Sequence, residues 1–207
     1  RFGKSLLLDT LQCYFEGKKE LFEGLKIMEL EEEWTEYPVI RLDMSGAGAT
    51  AAEIKDYLNL EFSKYEALYG IKPKETSRES VRFQVILDTA YQKTGKQVVV
   101  LIDEYDSPLQ HSWKTPEHKG CTEVYRSVFS VLKLKGNVLR FVFITGITKF
   151  TQISLFSVLN HLTNISFLPQ FAPLCGITEE EITVNFAPEL EALADKMECS
   201  IEEAHDK

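Results

Sequence analysis

The sequence predicts an α/β protein in which helices cover a parallel β-sheet. Apolar segments typical of strands alternate along the chain with amphipathic segments of helical length. The clearest strand is Val98–Ile102, an unbroken run of valine, leucine and isoleucine, and such runs are typical of strands buried on both faces of a parallel sheet. At 207 residues and 44% hydrophobic composition, the chain is long enough for one sizeable α/β core or two small ones.

The elements follow from local patterns in chain order. An apolar helix begins near Lys4 and stops at Gly17, and a short amphipathic stretch follows it. Strands are predicted at Tyr37–Gly46, Val98–Ile102 and Phe141–Ile144. Helices are predicted between these strands at Ala51–Leu68 and at Cys121–Lys133. A further helix between the first two strands is predicted to begin at a cap, Ser77 or Ser80, to run to about Lys93 and to end at Gly95.

Two further helices are predicted near the end of the chain. Thr178 is followed three residues later by Glu181, which is a capping-box pattern. Pro188 then precedes apolar residues at helical spacing, which places a proline in the first turn of a second helix.

Composition and charge narrow the function classes. The net charge is −9, with 32 acidic against 23 basic residues, so direct nucleic-acid binding by this segment is not expected. No apolar run reaches the roughly 18 residues of a membrane span, and no signal segment opens the sequence. We therefore expect a cytoplasmic protein without a membrane partner. The scattered cysteines favour buried or partly buried thiols over zinc or disulfides; they are Cys13, Cys121, Cys175 and Cys199.

The first residues match the end of a phosphate-binding loop. The pattern G-x-x-x-x-G-K-[ST] needs glycine for close backbone approach, lysine for phosphate charge and a hydroxyl for Mg²⁺. Gly3, Lys4 and Ser5 supply those three residue types, and the helix that follows them favours an anion at its N-terminus. The tripeptide alone is weak evidence and needs a partner motif.

Polar residues at the ends of the predicted strands supply that partner. Ligands collect at the carboxyl ends of parallel strands, where Asp43, Asp103, Glu104 and Thr145 are the first polar residues. An apolar strand running into Asp103 and Glu104 is the Walker B arrangement. Asp103 would hold Mg²⁺ together with Ser5, and Glu104 would orient the attacking water. Thr145 would sense the γ-phosphate or hold the water, although a threonine can also satisfy its own backbone there. Asp106 is predicted to lie in an Asp-Ser-Pro turn.

The motifs together resemble a bacterial AAA-ATPase-like family. The stretches that carry the likeness are "RFGKSLLLDTLQCYFEGKKELFEGL", "YPVIRLDMS", "VVVLIDEYDSPL" and "FVFITGITKFTQISLFSVLNHLTNIS". The family is similar to the archaeal ATPases of the additional-strand P-loop class, and its members usually carry a PD-(D/E)xK nuclease-like domain after the ATPase.

The resemblance implies a P-loop NTPase-like core over residues 1–168, without its first strand, and the start of a helical lid at residues 169–207. It implies that Gly3, Lys4 and Ser5 contact ATP, that Ser5 and Asp103 hold Mg²⁺, and that Glu104 and Thr145 act at the γ-phosphate. The strand and half-loop expected before Arg1 are not in this sequence, so we expect a portion of a longer protein. A homo-oligomer is compatible with the family, and nucleic-acid contact would come from an absent domain.

Three alternatives accompany this interpretation. Asp43, Glu53 and Lys55 fit a nuclease-like D-x₉-E-x-K spacing, but the Glu-x-Lys falls in a predicted helix where the nuclease motif needs a strand. A nucleotide-dependent switch or scaffold with little turnover needs the same loop and stays open. An arginine finger has no assigned source; the basic candidates are Arg126, Arg140 and Lys149, and the histidines His111, His118 and His161 lack ligand spacing.

Overall fold

The computed structural model describes residues 3–72, 78–147, 161–201 and 203. The chain divides into two compact units. One unit is Leu8–Thr163, and the other joins Arg1–Leu7 with Asn164–Lys207. The division of the sequence into residues 1–168 and 169–207 stays a prediction.

The larger unit is built on a three-stranded parallel sheet in the order β1-β2-β3. The strands are β1 at Val39–Asp43, β2 at Val98–Asp103 and β3 at Leu139–Ile144. This confirms the predicted parallel α/β arrangement. The predicted first strand was too long, because the chain turns into a 3₁₀ helix at Met44–Gly46 and Asp43 accepts a hydrogen bond from the Ser45 amide there.

Helices occupy most of the remaining described chain. Among the described residues, four short segments are 3₁₀ helices, at Lys19–Phe22, Met44–Gly46, Gly136–Val138 and Pro169–Leu174. The α-helices are α1 at Lys4–Phe15, α2 at Ile27–Leu30, α3 at Ala51–Leu68, α4 at Glu79–Thr94, α5 at Ser107–His111, α6 at His118–Leu134, α7 at Glu179–Asn185 and α8 at Ala187–Met197.

Strand β2 is buried on both faces, as its unbroken apolar run predicts. All six of its residues are buried. Val98, Val100 and Ile102 belong to the main core, which α3, α4 and α6 complete. Val99 and Leu101 point to the opposite face, where Leu8 of α1 packs on them. Alternate side chains of one strand therefore serve two apolar layers, which explains why the strand has no polar side until Asp103.

Helix ends follow their capping residues. Thr50 accepts from the Glu53 amide, and Glu53 reaches back to the Thr50 amide, so α3 begins in a full capping box. Helix α4 ends as predicted at Gly95, whose φ of 67° suits a residue without Cβ. The predicted cap at Ser80 was wrong, because α4 begins at Glu79 and Ser80 lies inside it. The alternative cap, Ser77, lies outside the described residues.

A buried ion pair joins α3 to α4. Arg82 donates to both carboxylate oxygens of Glu66, at 2.7 and 2.6 Å, and also to the side chains of Asn59 and Ser63. The side chains of Arg82 and Glu66 are 11% and 4% exposed. A fork-shaped guanidinium with this many acceptors satisfies a buried carboxylate that would otherwise be costly.

The smaller unit contains α7 and α8. Thr178 and Glu181 form the predicted capping box at the start of α7. Pro188 lies in the first turn of α8, as predicted, and Leu190 and Ala194 are the buried residues of that helix. Within the described residues, no helix combines the length and apolar character that a membrane crossing requires. The four cysteines are free thiols and are buried or half-buried, as expected.

Candidate functional site

The carboxyl ends of β2 and β3 lie side by side. Ile102 pairs with Ile144 across the two strands, so Asp103 and Thr145 are the next residues along each of them. The Thr145 amide donates to the Ile102 carbonyl at 2.8 Å. On the other side, Asp43 at the end of β1 is in register with Asp103. The predicted strand-end residues thus meet at one edge of the sheet.

Asp103 is a buried carboxylate with a fixed orientation. It is 2% exposed. Its Oδ1 accepts from the Glu104 amide at 2.9 Å and from the Thr145 hydroxyl. No hydrogen bond to Oδ2 comes from any residue of the described chain. Burial of a charge without partners is costly, so two donors on one oxygen stabilise the carboxylate and leave the second oxygen available for a ligand.

Glu104 has a backbone conformation that is uncommon for a residue with a side chain. Its φ is 47°, in the left-handed region, which costs roughly 1–2 kcal/mol for an L-residue. The Glu104 carbonyl accepts from the Ser107 amide at 3.0 Å, so this conformation turns the chain from β2 into α5. The Glu104 carboxylate is half-buried, and within the described part of the chain nothing donates to it. It is therefore able to accept a hydrogen bond from a water or a substrate.

Thr145 links the two strand ends. It is 8% exposed. Its hydroxyl donates to Asp103, and its carbonyl accepts from the Tyr105 amide at 3.0 Å. The structure therefore gives the Thr145 hydroxyl a contact with the predicted metal ligand. Its predicted action at a γ-phosphate stays a prediction.

Asp106 is a buried acid that the sequence interpretation missed. It is fully buried. Its two oxygens accept from the Ile147 amide at 3.2 and 3.1 Å, and Oδ2 also accepts from the Gln110 side chain at 2.6 Å. Asp106 lies in a turn, as predicted, and α5 begins at the next residue with Pro108 in its first turn. In the sequence, Asp106 could have been noticed as a second acid, three residues after Asp103 and directly before Ser107-Pro108.

Close packing at Gly146 makes the contact with Asp106 possible. A Cβ added at Gly146 would lie 2.4 Å from Asp106 Oδ1 and 2.6 Å from a ring carbon of Tyr105. Tyr125 is buried nearby in the same core, and its burial, followed by the negative charge of Asp106, raises its pKa well above the ordinary value.

Gly3, Lys4 and Ser5 form the start of α1, as predicted. Gly3 has φ of 79°, and its carbonyl accepts from the Leu7 amide at 2.9 Å. Lys4 is half-buried and is the first residue of the helix, while Ser5 is exposed. The first amides of a helix have no partner within the helix, which suits an anion. Nucleotide contact by these residues stays a prediction.

The glutamate of the nuclease-like spacing caps a helix. Glu53 lies on α3 and accepts from the amides of Ala49 and Thr50, which pull its pKa below the ordinary value. This confirms the predicted helix at the Glu-x-Lys of the D-x₉-E-x-K spacing, where a nuclease motif needs a strand.

The described histidine and arginine candidates are exposed, except for the half-buried His118. His118 Nδ1 lies 3.1 Å from the buried Ser112 hydroxyl, and its ring contacts Trp113 edge-on. No group of three metal-binding side chains occurs within the described residues. Arg126 and Arg140 are exposed, His111 and His161 are exposed, and Lys149 lies outside the described part of the chain.

Comparison with known proteins defines the class. The family described as "Predicted AAA-ATPase" matches residues 1–156, so the chain belongs to that family. A relative from Azotobacter chroococcum mcd 1, described as an uncharacterized protein in the vnfD 5' region, is 37% identical over 200 residues. The match covers 93% of this chain and 38% of that protein, so the chain spans well under half the length of its relative. No solved structure matches the chain.

Proposed function

We propose that this chain binds Mg-ATP and hydrolyses it, as part of a larger protein. The observation that carries the proposal is the meeting of Asp103, Glu104 and Thr145 at the adjacent carboxyl ends of β2 and β3. Family membership supports nucleotide binding in general. The chemistry of these three side chains suits a γ-phosphate and its metal.

The donor set fits one Mg²⁺. This ion prefers oxygen ligands, keeps several waters and commonly takes only one or two carboxylates beside the phosphates. Asp103 offers one oriented carboxylate with an available oxygen. The sequence motif predicts the Ser5 hydroxyl as the other protein ligand. Bound Mg²⁺ would neutralise charge on the phosphates.

The remaining residues act on substrate and water. Lys4 would place a positive charge against phosphate oxygens, and the glycine before it would let backbone amides approach them. Glu104 would accept a proton from the attacking water and hold that water in line with the phosphorus. Thr145 would hold Asp103 in place.

Phosphate release tests the hydrolytic part of the proposal. Glu104→Gln should lower the rate of phosphate release about 100-fold or more, because a general base contributes on the order of 10²–10⁴. Mg-ATP binding should persist in that variant. Glu123→Gln, at an exposed position on α6, is the matched control and should leave the rate unchanged.

Three results separate the outcomes. Phosphate release that depends on Glu104 supports the proposed ATP hydrolysis. Mg-ATP binding without release by the wild type indicates a nucleotide-dependent switch instead. Equal release rates in Glu104→Gln and wild type contradict the role of Glu104.

A further inference from the structure

Asp106 accepts hydrogen bonds through both of its carboxylate oxygens. The Ile147 amide points between its two oxygens, at 3.2 and 3.1 Å. An asparagine at this position would place its NH₂ group beside that N–H in either orientation, so two donors would face each other. The position therefore requires a group that accepts on both atoms, and burial makes an unsatisfied contact costly.

The chain that contacts Asp106 is shaped for that contact. Gly146 leaves room that any Cβ would fill, at 2.4 Å from Asp106 Oδ1. Because the amide of the next residue is the donor, residues 146 and 147 can lie directly against the carboxylate. A side chain at Gly146 would push this backbone away from Asp106.

Residues 103–106 and 145–147 are connected at three points. The Ile147 amide donates to Asp106, the Tyr105 amide donates to the Thr145 carbonyl, and the Thr145 hydroxyl donates to Asp103. The first two contacts fix the backbone that follows the Thr145 Cα, and the hydrogen bond from the Thr145 amide to the Ile102 carbonyl fixes the backbone that precedes it. The direction of the Thr145 hydroxyl, and through it the orientation of Asp103, depends on them.

We propose that Asp106 is a positioning residue: it holds residues 145–147 so that Thr145 orients the Asp103 carboxylate for metal binding. The inference rests on the proposed Mg-ATP site and adds to it a residue that would touch neither metal nor nucleotide. Groups that orient metal ligands typically change metal affinity or activity by about 10- to 100-fold when they are removed.

The test is the Mg²⁺ dependence of ATP binding and phosphate release. Asp106→Asn should raise the Mg²⁺ concentration for half-maximal effect by about 10- to 100-fold. Gln110→Ala removes a donor to Asp106 from a half-buried position. It should raise the Mg²⁺ concentration for half-maximal effect about threefold. If Asp106→Asn does not fold, Gln110→Ala alone tests the positioning role of Asp106.

Two controls separate positioning from general damage. Glu123→Gln removes a carboxylate from an exposed position on α6, outside the proposed site. Thr50→Ala destabilises α3 by removing the side chain that caps its N-terminus. Neither should change the Mg²⁺ dependence.

The outcomes are distinct. A raised Mg²⁺ requirement in the Asp106 and Gln110 variants, with none in the controls, supports the inference. An unchanged Mg²⁺ requirement in those two variants, or an equal change in Thr50→Ala, overturns it while the proposed function survives. Wild-type protein that binds no Mg-ATP overturns both.

Discussion

Replacement of Gly146 by alanine should destabilise the larger unit strongly. The new Cβ would lie 2.4 Å from Asp106 Oδ1 and 2.6 Å from the Tyr105 ring, both buried groups. Overpacking of this kind costs about 1–3 kcal/mol. If the backbone shifts to relieve it, Asp106 loses the Ile147 amide, and a buried acceptor without its donor costs about 1–3 kcal/mol more. We expect a loss of about 2–6 kcal/mol in the free energy of unfolding, a large part of a typical domain's stability.

Urea denaturation followed by circular dichroism measures this change. Gly136→Ala is the matched control, because nothing lies within 4 Å of a Cβ built at Gly136. That variant should stay within about 0.5 kcal/mol of the wild type, as surface substitutions usually do. If Gly146→Ala and Gly136→Ala have equal free energies of unfolding, the close contact of Gly146 with Asp106 is refuted.

Three other predictions concern stability. Arg82→Met leaves the Glu66 carboxylate buried without its partner and should cost about 3–5 kcal/mol in urea denaturation; a loss under about 1 kcal/mol would contradict the buried ion pair. Tyr125→Phe removes a buried hydroxyl that no described residue satisfies and should stabilise the protein by about 1–2 kcal/mol; a clear loss would mean that the hydroxyl has a partner. The lowered pKa of Glu53 contributes stability above its ordinary value of 4.5 that is lost as the pH falls through the folded-state pKa. Glu53→Gln should therefore flatten the fall in melting temperature between about pH 6 and about pH 3, and an unchanged acid profile would contradict this.

The elements that sequence predicts well are those that local pattern determines. Strand β2 was predictable because a strand buried on both faces must be apolar on both, and its end was marked by the first acid, Asp103. Helix α3 was predicted with its observed bounds, because its apolar positions recur with helical period.

The features that sequence missed depend on contacts between distant segments. Asp106 precedes Ser-Pro, which is typical of a turn, and only the approach of residues 146–147 makes it a buried acceptor. The left-handed φ of Glu104 has no signature in residue type, since glutamate rarely adopts it. Thr145 was correctly predicted at the end of the strand beside the one that ends at Asp103. Its hydrogen bond to the Asp103 carboxylate was not predicted, because that bond depends on side-chain geometry.

The most direct test of the central claim is a calorimetric titration of the protein with Mg-ATP, with Lys4→Ala measured beside the wild type. Lys119→Ala is the matched control, because Lys119 is an exposed lysine in the first turn of another helix, α6. Hydrogen bonds to charged groups contribute about 1.5–3 kcal/mol, so Lys4→Ala should bind about 10- to 100-fold more weakly while Lys119→Ala binds like the wild type. No binding by the wild type, or equal binding by Lys4→Ala, would contradict the claim that this chain is a Mg-ATP-binding domain acting through Lys4.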